Sequence, residues 1–258
     1  VAIGYEAQTR DTLGRRTVAI GTGTLQTQNF TTATDTYNTA VGYDAGKEVT
    51  TGLNNTLIGG LAGDALTNAH SNSALGYLAL SADTLGSRTV AIGRSALQAQ
   101  NFTTATNAYN TAVGYNAGGA VTTGVQNTLI GALSGDSLTD ADRNAAFGYS
   151  ALTLDTQGSR STAIGAATLA NQNFTTATEA YNTAVGYGAG LEVTTGIRNT
   201  LIGSRTGDAF TDADYNVALG YNALTSDTLG STSTAIGYSA LETQNFTSAT
   251  DSYNTAVG

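Results

Sequence analysis

Residues 38–42 read Asn-Thr-Ala-Val-Gly, a short apolar strand that ends on a glycine, and the same five residues recur at 110–114, 182–186 and 254–258. Related forms, such as Asn-Thr-Leu-Ile-Gly at 55–59, fill the intervals between them. The spacings between these motif glycines run 17, 21, 17 and 17 residues and then repeat, which gives a 72-residue super-repeat of four units. The fifteen motif glycines are Gly4, Gly21, Gly42, Gly59, Gly76, Gly93, Gly114, Gly131, Gly148, Gly165, Gly186, Gly203, Gly220, Gly237 and Gly258.

So regular a frame predicts a stack of equivalent coils, because each coil has to present its strand at the same height to the next. We expect an all-β, parallel β-roll or β-solenoid in which each coil holds two short strands and two turns. The second strand is clearest as Val-Thr-Thr-Gly at 49–52, 121–124 and 193–196. Residues 1–258 then form a single repetitive segment, with super-repeat boundaries near 42, 114, 186 and 258. Both ends fall inside a motif, so we expect a fragment of a longer chain.

The motif strand is apolar on both of its faces. The residue before each glycine is large, as in Ile20 and Ile58, and the residue before that is Ala or Leu, as in Ala19 and Leu57. Successive strand residues point to opposite faces, so one face has to be covered from outside the coil. We expect the larger residues to fill the coil, the Ala and Leu row to pack against neighbouring chains around an axis, and the glycines to allow a tight turn or a close approach there.

The 21-residue coils carry an almost constant segment, Gln-Asn-Phe-Thr-Thr-Ala-Thr at 28–34, 100–106 and 172–178. Longer loops in a repeat protein emerge on one side, which predicts a ridge at every fourth coil. The phenylalanines should hold this loop against the coil. Each also follows an asparagine of an Asn-x-Thr glycosylation sequon, an alternative that would require a eukaryotic secretory route. These phenylalanines are Phe30, Phe102, Phe174 and Phe246.

Composition excludes several classes of function. The chain has no Pro, Cys, Met or Trp, so it has neither disulfides nor thiolate metal sites. Its net charge of −9, with 10 basic residues, argues against nucleic acid and against an anionic membrane surface. The apolar runs are too short for a membrane span. We expect no catalytic residue and no cofactor.

Three features bear on ligand binding. The acidic loops around Asp140, Asp142, Asp212 and Asp214 have alternating carboxylates that could share a calcium ion, or they could simply form turns and caps. His70 is the only histidine and aligns with Asp142 and Asp214, which indicates a solvated loop position. Tyrosines that follow motif glycines could stack on sugar rings or pack with their hydroxyls in water. These tyrosines are Tyr43, Tyr77, Tyr115, Tyr149, Tyr187 and Tyr221.

The stretches 110–118, 127–131 and 216–224 resemble the head repeats of YadA-type trimeric autotransporter adhesins, and they are even more similar to related repeats of bacteriophage tail fibres. The resemblance covers the whole chain. It implies a left-handed β-roll, three chains around one axis and an extracellular location. The coils here are longer than the usual adhesin repeat, and the four-coil super-repeat departs from it. No catalytic residues come with the resemblance.

The leading hypothesis is a non-catalytic shaft of a homotrimeric tail fibre on a virion, with a glycan or protein receptor bound through other regions of the fibre. The alternative is the head or stalk of an adhesin on a bacterial surface. A remote alternative from another class is an ice-binding solenoid, which needs matching threonines in every coil of one flat face, whereas Val-Thr-Thr-Gly recurs only once in four coils.

Overall fold

The computed structural model describes residues 1–258, and every regular element in it is a β-strand. The chain is a parallel β-solenoid of about 15 turns, which confirms the predicted fold class. It comprises two compact units, Val1–Asn127 and Thr128–Gly258. It has no helix long and apolar enough to cross a membrane.

One strand per coil builds the principal sheet, and in each unit every strand pairs in parallel with those of the adjacent coils. The motif glycines set the register, so that Leu57 lies beside Ala74 and Ile58 beside Leu75. In the first unit the strands are β1 (Ala2–Ile3), β3 (Val18–Ile20), β5 (Thr39–Val41), β6 (Thr56–Ile58), β7 (Ser73–Leu75), β9 (Val90–Ile92) and β11 (Thr111–Val113). In the second unit they are β12 (Thr128–Ile130), β13 (Ala145–Phe147), β15 (Thr162–Ile164), β17 (Thr183–Val185), β18 (Thr200–Ile202), β19 (Val217–Leu219), β21 (Thr234–Ile236) and β23 (Thr255–Val257).

The second strand of the coil does not lie where the sequence predicted. Residues 49–52, 121–124 and 193–196 form turns and bends, although their backbone groups still bond to the next coil, as Thr50 N–H does to the Thr67 carbonyl at 3.0 Å. Two-residue strands occur instead where a 17-residue coil meets a 21-residue coil. They are β2 (Gly14–Arg15) with β4 (Thr34–Asp35), β8 (Gly86–Ser87) with β10 (Thr106–Asn107), β14 (Gly158–Ser159) with β16 (Thr178–Glu179), and β20 (Gly230–Ser231) with β22 (Thr250–Asp251).

The two faces of the motif strand are reversed relative to the prediction. The small middle residues, such as Ala19, Ala40 and Leu57, have an exposed fraction of 0% and fill the coil. The larger last residues, such as Ile20 and Ile58, point outward. The sequence prediction was therefore wrong about which apolar row forms the core.

Complementary side-chain sizes explain why small residues lie inside. A Cβ added to Gly46 would meet the Leu57 Cδ1 at 2.6 Å, and one added to Gly63 would meet the Leu57 Cδ2 at 2.8 Å. Leu57 thus fills the space that two glycines of the opposite wall leave open. Where the strand has alanine, as at Ala74 and Ala91, the wall position is a buried leucine such as Leu80 or Leu97. The interior is close-packed because a large residue on the strand faces small residues on the opposite side of the coil, and a small residue on the strand faces large ones.

The motif glycines allow close approach between consecutive coils of one chain. Gly59 has a φ of +133°, and a Cβ there would lie 2.5 Å from the carbonyl oxygen of Gly76. Only glycine tolerates both the backbone conformation and the contact. The expected close approach is confirmed, but its partner is the next coil.

A ladder of buried asparagines begins most strands. In the second unit the Asn199 Oδ1 accepts from the Asn216 backbone N–H at 2.9 Å, and the Asn199 Nδ2 donates to the Ala213 carbonyl at 2.7 Å. Each amide thus bonds to two backbone groups of the next coil, an N–H just before its strand and a carbonyl three residues earlier.

Candidate interaction surface

The outward face of the principal sheet carries a continuous row of large aliphatic side chains. This aliphatic row consists of the residues just before the motif glycines, among them Ile20, Ile58 and Leu75 in the first unit and Ile164 and Ile202 in the second. These five have exposed fractions of 37–41%. Since neighbouring strands of a sheet lie about 4.8 Å apart, the exposed side chains of consecutive coils adjoin one another within each unit. Contiguous apolar surface of this kind is typical of an interaction face.

Beside the aliphatic row lies the tyrosine row, formed by the residues that directly follow the motif glycines. All six tyrosines singled out in the sequence belong to it, and all are exposed. Their neighbours in the row are mostly small, so Tyr149 lies between Ala132 and Ala166. The small neighbours leave the rings of Tyr149 and Tyr187 free on both sides. Elsewhere in the row Arg94 lies over the rings of Tyr77 and Tyr115, and Tyr221 stacks on Tyr238.

An arginine–tyrosine row lies at the opposite end of the motif strands, just before each strand begins. It is made of the residues five positions before the motif glycines. Here the rings are covered, since Arg160 and Arg198 lie 5.5 Å and 5.8 Å from the centroid of the Tyr181 ring. Arg198 also donates a hydrogen bond to the Tyr215 hydroxyl and lies over its ring. These contacts are cation–π pairs within the chain. Sequence reasoning missed this row, although Arg-to-Tyr spacings of 17 or 21 residues reveal it.

Sequence reasoning also missed a buried carboxylate in each super-repeat. At one interior position the four coils of a super-repeat have in turn an aspartate, a glutamine, a valine and a leucine or phenylalanine. Asp155 is fully buried, accepts from the N–H groups of Gly158 and Phe174 at 3.0 and 3.1 Å, and accepts from the Gln172 amide. Asp83 makes the equivalent bonds. Recurrence at a position that is apolar in two of the four coils was the signal.

No basic side chain bonds to Asp83 or Asp155, so burial dominates their protonation. Loss of water around the carboxylate raises the pKa of both groups, while hydrogen bonds from the glutamine and the backbone act in the opposite direction. These hydrogen bonds anchor the 21-residue loop, since Phe174 N–H belongs to it. The phenylalanine side chains of these loops are buried at Phe30, Phe102 and Phe174, which confirms that they hold the loop against the coil.

The acidic loops do not gather into a cluster. Nowhere in residues 1–258 do three or more His, Asp or Glu side chains come together as metal ligands. Asp140 and Asp212 are exposed and accept from Thr139 and Thr195, whereas the Asp214 Oδ1 accepts from the Ile197 N–H at 2.8 Å. Partial burial raises the pKa of Asp214. Asp142 is half-buried, and its N–H donates to Ser159.

His70 is not simply a solvated loop residue. It is half-buried, and its Nδ1 accepts from the Leu53 N–H at 3.0 Å, as the Asp214 Oδ1 does from the Ile197 N–H at the equivalent position two super-repeats later. Histidine and aspartate are interchangeable here because both offer an acceptor to the same backbone group.

The chain matches no protein-family model, no curated protein and no solved structure. Its surface has no pocket. The candidate site is therefore an extended surface, made of the aliphatic row and the tyrosine row that adjoins it.

Proposed function

We propose that this chain is a non-catalytic structural segment of a homotrimeric extracellular fibre, a phage tail fibre in the first place. The observation that carries the proposal is the aliphatic row, which exposes a large apolar side chain in coil after coil. Covering such a row with another copy removes apolar surface from water and stabilises the assembly. Three copies are what the resemblance of the repeats to adhesin and tail-fibre repeats implies.

The fold supports a mechanical role. Backbone groups of each coil bond to the next coil, and the asparagine ladder adds side-chain bonds at the start of the strands. A parallel stack of this kind resists local opening, because every coil is held on two sides. In this proposal the fibre lies outside the cell, and a receptor binds through other regions of the polypeptide. The adhesin alternative rests on the same repeats, and no feature of the described residues favours it.

The remote ice-binding alternative would use the threonines that begin the strands, such as Thr39 and Thr56, rather than those of Val-Thr-Thr-Gly. This array is interrupted at Val18, Ser73 and Val90, and exposed tyrosines flank it. A flat, unbroken threonine face is therefore not present in the first unit.

Light scattering on the purified chain tests the proposal. We expect a mass of about three times 26.1 kDa. The double substitution Ile164→Asp and Ile202→Asp should lower that mass to the single chain, because a carboxylate in a covered apolar row loses its water.

Leu154→Asp is the matched control, since Leu154 is an exposed leucine outside the aliphatic row. It should leave the mass unchanged. A stable wild-type monomer, or equal dissociation in the control, would overturn the trimer and the role of the aliphatic row.

A further inference from the structure

In the second unit the tyrosine row presents two free aromatic rings, those of Tyr149 and Tyr187. Tyr149 and Tyr187 have exposed fractions of 62% and 61%, and the row positions before, between and after them are Ala132, Ala166 and Ser204. In the first unit the Tyr77 ring extends over Gly60, where an added Cβ would lie 3.5 Å from the Tyr77 Cδ2. Arg94 lies 6.0 Å from the centroid of the same ring, so Tyr77 is covered and Tyr149 and Tyr187 are not.

The arginine–tyrosine row shows what a satisfied tyrosine looks like in this fold. There the Tyr181 ring is flanked by two guanidinium groups, and its hydroxyl donates to Glu179 at 2.6 Å. Tyr149 and Tyr187 have neither a cation over the ring nor a hydrogen bond to the hydroxyl in the structure. The neighbours of Tyr181 are arginines, whereas those of Tyr149 and Tyr187 are small residues, so the difference lies in what covers the rings.

The interval between the free rings is two coils. Tyr149 and Tyr187 follow Gly148 and Gly186, with the coil of Gly165 between them. At about 4.8 Å per coil, the rings repeat at about 9.6 Å, which is close to the length of a disaccharide in an extended β-1,4-linked polysaccharide. A linear chain of such sugars would meet one tyrosine at every second residue.

The chemistry of the surroundings favours an uncharged occupant. The net charge of the chain is −9, and the tyrosine row of the second unit contains no acidic or basic side chain between Ala132 and Tyr238. The residues that directly follow Tyr149 and Tyr187 are the uncharged Ser150 and Gly188, and the one cation at the equivalent flanking positions of this unit is Arg205. Sugar rings offer apolar C–H faces with a rim of hydroxyls, which suits a flat aromatic ring bordered by neutral hydrogen-bonding groups.

We propose that the part of the tyrosine row formed by Tyr149 and Tyr187 is a binding track for an uncharged, extended β-1,4-linked polysaccharide that runs parallel to the stacking direction of the second unit. Alternate sugar rings stack on consecutive tyrosines. This function is separate from the proposed fibre role, and the aliphatic row is not required for it.

Calorimetric titration with the β-1,4-linked glucose hexamer provides the test. The hexamer should bind at least tenfold more tightly than the corresponding dimer, because only the longer chain reaches two rings. The test variant replaces the two free tyrosines, Tyr149 and Tyr187, by alanine and should lose at least tenfold in affinity.

The matched control replaces the covered tyrosines of the arginine–tyrosine row by alanine, and its affinity should stay within twofold. These are Tyr181 and Tyr215 of the same unit. Phenylalanine at Tyr149 and Tyr187 keeps the rings and should keep the binding within threefold. Light scattering of each variant reports the oligomer separately, so failure of the fibre proposal and failure of the binding track are distinguishable.

Absence of hexamer binding to the wild-type chain would overturn the binding track. So would an equal loss of affinity in both alanine variants, or retention of charged carboxymethylcellulose but not of neutral hydroxyethylcellulose in affinity electrophoresis.

Discussion

At the scale of single residues, the buried aspartates are the least expected feature of this chain. Asp155 lies in the interior with hydrogen bonds to Gln172, Gly158 and Phe174 but without a basic partner. An isolated buried charge is costly, and three donors compensate it only in part. The carboxyl group anchors the long loop of the 21-residue coil, and as a consequence the stability of the fold depends on pH.

The first prediction concerns that dependence. Burial raises the pKa of Asp155 above its ordinary value of 3.8. The folded state therefore binds this proton more tightly than the unfolded state, and the stabilisation is fully present below pH 3.8 and lost as the pH rises through the folded pKa. In Asp155→Asn this contribution is absent. As the pH rises from 3.8 through the folded pKa of Asp155, the unfolding midpoint of the variant should therefore rise relative to that of the wild type.

Thermal unfolding of both proteins at a series of pH values measures the difference. Asp140→Asn, which removes one exposed negative charge, controls for net charge. A difference between Asp155→Asn and the wild type that is independent of pH would refute the raised pKa.

At the scale of the element, the strand and its asparagine act together. A strand of three residues has few backbone hydrogen bonds. The asparagine that precedes it extends the contact, because its side chain makes two more bonds to the backbone of the next coil. Asn199 shows both bonds, to Asn216 and to Ala213, and is fully buried. Short strands are thus sufficient because side-chain amides continue the hydrogen-bonding pattern beyond their ends.

The second prediction follows from this arrangement. Asn199→Ala leaves a buried N–H and a buried carbonyl without partners, which should lower the free energy of unfolding by about 3 kcal/mol. Asn171→Ala is the matched control, since the Asn171 amide reaches only the exposed Glu192, and it should cost less than about 0.5 kcal/mol. Denaturant unfolding measures both, and equal losses would contradict the role of the ladder.

At the scale of the whole molecule, each unit behaves as a series of interchangeable coils. Contacts run between consecutive coils, and the register follows from the count of residues between motif glycines. Stability in such a stack is close to a sum over coils and their interfaces. A coil can therefore be removed if the register is kept.

The third prediction uses this property. Deletion of residues 60–76, made together with Leu57→Ala so that Leu80 meets an alanine as it does beside Ala74, joins Gly59 to Tyr77 and removes one 17-residue coil, so the next strand meets β6 in the same register. The unfolding midpoint should stay within about 5 °C of the wild type. The comparison deletion, of residues 60–75, carries the same Leu57→Ala substitution. It leaves one residue too many and shifts the next strand against its neighbour, which exchanges its inner and outer faces.

The shorter deletion should therefore lower the midpoint by more than about 10 °C, as judged by circular dichroism during heating. Equal midpoints for the two deletions would mean that the coil length does not set the register.

The spacing of the motif glycines was enough to predict the fold class, the parallel stacking and the position of the principal strand in every coil, although not that of the second strand. The reason is that a constant coil length leaves only one way to align successive strands. The buried phenylalanines of the long coils followed from the same alignment, since an apolar ring that recurs in each long loop has to be covered.

Which face of the strand lies inside was decided only by the tertiary structure. Both faces of the strand are apolar. Side chains alternate between the two faces, which separates the residues into two rows but does not indicate which row is buried. The answer depends on the opposite wall, where Gly46 and Gly63 make room for Leu57 and where Leu80 and Leu97 leave room only for alanine. The same is true of the Asp155–Gln172 pair and of the free and covered tyrosines, because each depends on a contact with the neighbouring coil that residue types alone do not specify.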